Sequence, residues 1–135
     1  MERYLGKYSS QIYALLRIVS GFLFACHGAQ KLFGVLGGTA VESLASLRGA
    51  AGIIEFFGGL LIMGGLFTSY TAFIASGEMA FAYFLSHAPR GLWPIMNRGE
   101  LAVLFCFLFL YIASRGSGIW SLDGLLGRGS STDRR

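Results

Sequence analysis

The chain has 135 residues, of which 54% are hydrophobic, 15% aromatic and 13% charged, about half the charged share of an ordinary soluble domain. Eleven basic and seven acidic side chains leave a net charge of +4. That balance excludes an intrinsically disordered chain and argues against a water-soluble monomer, and the length allows one folded domain. Cys26 and Cys106 lie far apart inside apolar runs, so neither a disulfide framework nor a paired-cysteine metal or redox motif is available.

Four apolar runs follow in chain order: Gln11 to Phe33, Ala50 to Phe67, Tyr70 to Ser86 and Arg98 to Ser114. A hydrocarbon layer roughly 30 Å thick is crossed by about 17 to 25 helical residues rising about 1.5 Å each. None of the runs alternates apolar with polar residues, which disfavours strands, and a bilayer admits only helices or closed barrels. The expected fold is therefore all-α, a four-helix transmembrane bundle over 1–126, followed by a tail over 127–135 expected to be disordered. Leu23 to Cys26 partly imitate a lipobox, but Phe24 is too bulky for its place and Arg17 interrupts the apolar stretch. The first run thus reads as a permanent helix.

The connections are expected at Gly34 to Gly49, at a tight turn on Thr68 and Ser69, and at Ala88 to Asn97. An even number of spans puts both termini on one side with Arg3, Lys7, Arg115, Arg128, Arg134 and Arg135, against Lys31, Arg48, Arg90 and Arg98 on the other. This bias favours cytoplasmic termini in a multi-pass protein of the cell (inner) membrane, with Trp93 and Trp120 anchored at opposite interfaces. Small residues are expected to let the helices approach: Gly52, Gly58, Gly59, Gly64 and Gly65 on the second, and Ala72, Ser76 and Ala80 on the third.

A charge near the bilayer centre costs roughly 2.5 to 3.5 kcal/mol on an insertion scale, so the ionisable residues within the runs carry the most information. In the first run Arg17, Ser20, Phe24, His27 and Lys31 are spaced 3, 4, 3, 4 and share one helical face. The second run carries Glu55, the third Glu78 and the fourth Glu100. Counted from the outward ends, His27, Glu55, Glu78 and Glu100 converge on the outward half of the layer, whereas Arg17 belongs to the inward half and is expected to serve structural ion pairing. Candidates for ligand or proton handling are thus His27, Lys31, Glu55, Glu78 and Glu100, with Lys31 and Glu100 also able to snorkel to the interface. His87, nine residues after Glu78, falls on the opposite helical face and reads as an interface residue. On the fourth run Glu100, Leu104, Phe107, Tyr111 and Ser114 form a stripe expected to face Gly52, Glu55, Gly59 and Ile62 as an aromatic wall. Cys26 and Cys106 read as small apolar fillers. No metal-ligand spacing, phosphate loop or nucleic-acid surface is present in the sequence.

These residues resemble a known family. The segment RIVSGFLFACHGAQKLFG from Arg17 to Gly34 is similar to the first-helix signature of the DoxX family of small four-helix membrane proteins. Further matches are Glu55 with GGLLIMGGLFT, Glu78 with Met79 and Ala80, His87, the pair Gly99 and Glu100, and the closing GSGIWSLDGLL. The resemblance runs from Ile12 to Leu126. It implies membrane redox chemistry: related subunits occur in a thiosulfate:quinone oxidoreductase, and others assemble with soluble thiol- or superoxide-handling enzymes. It also maps His27, Lys31, Glu55, Glu78 and Glu100 onto the family's polar positions, and Trp120, Ser121, Leu122 and Asp123 onto its terminal motif.

The function expected is that of a membrane subunit of a redox complex with an outward polar pocket for a quinone or a small sulfur compound, with no covalent or metal cofactor. Partners would be the lipid bilayer and other membrane or soluble redox subunits, or a second copy of the chain, and not nucleic acid. The alternative is a structural or assembly subunit with no catalysis of its own; transport is disfavoured because inverted repeats and broken helices are lacking.

Overall fold

The structure, a computed structural model, describes residues 1–129, and among them there is no strand. The disordered tail expected at 127–135 lies, from 130 onward, outside the described residues. A short helix α1 (Glu2–Leu5) and a single 3₁₀ turn lead into α2 (Ser9–Phe33), which is followed by α3 (Leu47–Gly64), α4 (Thr68–Ala82), a one-turn α5 (Pro94–Asn97), α6 (Glu100–Arg115) and a one-turn α7 (Leu122–Leu125). The four principal helices are those expected from the apolar runs. They differ in length: α2 and α3 are long and apolar enough on their own to cross a membrane. The 15 residues of α4 are continued by a π-turn over Tyr83–His87, and α6 has 16 residues.

Two antiparallel pairs make the bundle, α2 with α3 and α4 with α6, and α3 meets α4 less extensively. The α2–α3 seam is as close as backbones allow. A Cβ on Gly28 would lie 2.2 Å from the Phe56 nitrogen, and one on Gly59 would lie 2.4 Å from the Ala25 nitrogen. Without a hydrophobic drive between helices, such close approach supplies the dispersion contacts that hold them. Of the five glycines expected to pack, Gly58 and Gly64 are looser, a Cβ there standing 3.6 Å and 3.5 Å from the nearest side chain. In the other pair Ala72 and Ser76 are buried as expected while Ala80 is only partly so, and Ser76 Oγ donates to the Cys106 carbonyl at 2.7 Å.

The buried stripe of α2 includes Arg17, Ser20 and Phe24, as the 3 and 4 spacing predicted. The expected wall on α6 is turned the other way. Leu104, Phe107 and Tyr111 are exposed, and the buried face is Ala102, Phe105, Phe109 and Ile112. Phe105 and Phe109 stack 5.2 Å apart, and Phe24 packs against both. Both faces of α6 are apolar, so polarity does not separate them, and the rings that interlock with Phe24 take the inside.

The turn between α3 and α4 lies at Gly65 to Phe67, earlier than the Thr68 and Ser69 expected, and those two residues begin α4. Gly65 takes the left-handed conformation (φ 71°), and a Cβ there would stand 2.4 Å from that of Ser121. Two devices from distant parts of the chain secure this end. The Asp123 carboxylate accepts from the Phe67 and Thr68 amides at 3.0 and 3.1 Å and from Thr68 Oγ1 at 3.2 Å, capping α4 and holding Phe67 at its positive φ of 49°. Arg17, expected to ion-pair, instead donates to four main-chain carbonyls: Ile62 at 2.8 Å, Met63 at 2.7 Å, Ile119 at 3.3 Å and Trp120 at 2.8 Å. Two of these carbonyls belong to the last turn of α3, where helical donors run out and the dipole is negative. Both terminal nitrogens of the guanidinium thus find acceptors at this end without a carboxylate, while its buried Nε has no partner among the described residues.

Candidate functional site

At the opposite end α3 and α4 part, and a cavity of about 1050 Å³ opens among α2, α3, α4 and the start of α6. Four of the five candidate residues line it: His27, Lys31, Glu55 and Glu78. Lys31 comes from the last turns of α2 and Glu55 from the middle of α3, and Lys31 Nζ donates to Glu55 Oε1 at 2.5 Å. This is the one ion pair among the described residues. Glu55 is 1% exposed, yet its Oε2 has no hydrogen-bond partner, and the Oε2 of Glu78 is likewise buried and unpartnered. Both glutamates thus belong to the lining with one oxygen each buried and unpartnered, and His27, also in the lining, stands edge to face with Phe105 at 6.2 Å.

Glu100 is not part of the lining. It is exposed in the first turn of α6, where a carboxylate complements the helix dipole, and the residues of that turn that line the cavity are Leu101 and Ala102. His87 differs from expectation in the other direction, because it does line the cavity. The π-turn places an extra residue in the coil after Tyr83, so the α-helical count of nine residues from Glu78 no longer sends His87 to the far face. Its Nδ1 is hydrogen-bonded to the Asn97 carbonyl at 3.1 Å. Buried Asn97 knots this end together: its Nδ2 donates to the Tyr83 hydroxyl and the Gly91 carbonyl, and its Oδ1 accepts from the Gly99 amide.

Arg48, Arg90 and Arg98 also line the cavity. From sequence they count only as topological charges in the outward connections; in the structure Arg48 falls in the first turn of α3, and the convergence of Arg90 and Arg98 on it depends on how their connection folds. With Lys31 the three arginines set four cations against the two carboxylates of Glu55 and Glu78. The remaining wall is apolar, with Ile54, Ile74, Phe81, Leu85 and Phe105. Among the described residues no group of three or more His, Cys, Asp or Glu side chains could hold a metal ion. The terminal motif, by contrast, serves the other end of the bundle, where Asp123 caps α4.

Chemically, the arrangement combines a paired carboxylate with a free oxygen, a second carboxylate and an imidazole in one partly enclosed space. Such groups accept hydrogen bonds and protons from a polar head placed among them.

The DoxX family model matches residues 12–88. An uncharacterized protein of Haemophilus influenzae is 43% identical over 126 residues, spanning 88% of this chain and 93% of the relative. No solved structure matches the chain.

Proposed function

The chain belongs to the DoxX family of membrane proteins, and from that premise we propose that it is a subunit of a membrane redox complex whose cavity takes the head of a quinone or a small sulfur compound. All four principal helices cross the inner membrane, with cytoplasmic termini and the cavity end outward. The observation that carries the reading is Glu55: a carboxylate 1% exposed, on the cavity lining, with one oxygen paired to Lys31 and the other unpartnered. A group so placed is costly in a bilayer unless something else receives it. His27 and Glu55 accept the two protons that a hydroquinone head sheds on oxidation, and Lys31 holds Glu55 in place for it. The electrons leave to a partner redox subunit.

A second reading, as an assembly subunit, is favoured by one feature: Lys31 and Glu55 tie α2 to α3 across their seam. The Glu55→Gln variant separates the two, since it keeps shape and hydrogen bonding while removing charge. Purified in mild detergent and titrated with decylubiquinone and with thiosulfate, it is expected to fold and to lose about tenfold or more in affinity for whichever the wild type binds. Lowered thermal stability with wild-type affinity would overturn the pocket and leave the ion pair as a lock.

A further inference from the structure

The cavity is open along the flank of the bundle. Ile74, Gly77, Phe81 and Leu85 form one stripe, spaced 3 and 4, on α4 and its π continuation, and all four line the cavity. Yet Ile74, Phe81 and Leu85 are 57%, 62% and 52% exposed. The same side chains therefore border the cavity and the outside. Counted from Thr68, Ile74 to Phe81 lie about 9 to 20 Å along the axis, in the middle of a layer about 30 Å thick. An opening at that depth meets hydrocarbon, not water.

Gly77 stands within this stripe and differs from the packing glycines. A Cβ on Gly21, Gly28 or Gly59 would strike a neighbouring backbone, whereas one on Gly77 would meet nothing within 4 Å. Glycine weakens a helix interior, and here no helix approaches closely enough to require it. What its missing side chain provides is clearance over α4 beside the cavity.

On the reading of the cavity as a ligand site, we infer that the ligand enters sideways from the bilayer, between α3 and α4 and across Gly77, and is therefore a chain-bearing amphiphile. Its polar head reaches His27, Glu55 and Glu78, and its hydrocarbon tail lies along Ile74, Phe81 and Leu85. Arg48 lies in the first turn of α3, and Arg90 and Arg98 belong to the connection between α4 and α6; all three line the cavity end, where lipid phosphates neutralise them. A small water-soluble sulfur compound would have no use for this route.

The test uses the full chain in mild detergent and three probes: decylubiquinone, the same quinone ring without its tail, and thiosulfate. Wild-type protein is expected to bind decylubiquinone about tenfold or more tighter than the tailless ring. Gly77→Leu is expected to unfold at or above the wild-type midpoint, because its side chain enters open space and glycine is a poor helix former, and to lose decylubiquinone binding by a similar factor. Equal affinity for the two quinones overturns lateral entry whatever the variant does. So does thiosulfate binding without quinone binding, which leaves the proposed pocket standing. Binding of none of the three overturns the pocket and the inference together.

Discussion

Replacing Arg17 tests the account of how the bundle is closed. The guanidinium is 0% exposed and donates to four carbonyls, two at the end of α3 and two in the segment after α6. In Arg17→Met the side chain keeps a similar reach, but the charge and all four bonds disappear. The Ile62 carbonyl retains the Gly65 amide at 3.1 Å, so the loss falls mainly on Met63 and Trp120. A hydrogen bond to a charged group contributes about 1.5 to 3 kcal/mol, and unpaired buried acceptors add their own desolvation. Because these terms are not additive, the expected loss is about 3 to 5 kcal/mol, the scale of breaking a buried charged network. That is about two to more than three orders of magnitude in the folded-to-unfolded ratio. Arg17→Lys keeps the charge but lacks the planar fork, so it reaches only part of the set and is expected to lose about half as much. Unfolding of each variant by sodium dodecyl sulfate in mixed micelles, followed by circular dichroism, measures both. A wild-type midpoint for Arg17→Met would refute the clamp, and equal losses for the two variants would refute the argument from fork geometry.

Gly28→Ala places a Cβ 2.2 Å from the Phe56 nitrogen and is expected to destabilise by about 1 to 3 kcal/mol, whereas Gly58→Ala has 3.6 Å of room and should be neutral or slightly stabilising in the same titration. Asp123→Ala removes the acceptor of two amides and one hydroxyl at the start of α4 and is expected to lose about 2 to 3 kcal/mol. Asp123→Asn retains one acceptor oxygen and should lose less. Hydrogen exchange at Phe67 and Thr68 reports the opening of that turn directly.

The helices were legible in the sequence because crossing a bilayer demands long apolar runs, and the inward face of α2 because its polar residues recur at helical spacing. Lys31 and Glu55 meet for the same reason: each is too polar to face lipid. The face of α6 was not legible, since Phe107 and Phe105 are equally apolar and lipid accepts either. His87 was misplaced because one π-turn shifts the register and leaves no mark in composition. Arg17 has main-chain partners, and carbonyls carry no residue signature. Of the cavity arginines, Arg48 falls in the first turn of α3, whereas Arg90 and Arg98 belong to a connection whose path depends on tertiary contacts, above all those of Asn97, and no periodicity reports such contacts.

The clamp also bears on the order in which the protein is made. Arg17 and Trp120 are separated by 103 positions and Asp123 and Thr68 by 55, so the ties at this end join early residues to some of the last described. During synthesis the hairpin of α2 and α3 can form from neighbouring segments as soon as both have emerged. The Gly65 turn has local support from the Gly65 and Leu66 amides, bonded back to the Ile62 and Leu61 carbonyls, but Phe67 in its strained backbone conformation and Thr68 place their amides on Asp123. That part of the turn waits unlocked until the chain beyond α6 has left the ribosome, and the end of the bundle opposite the cavity is the last to consolidate.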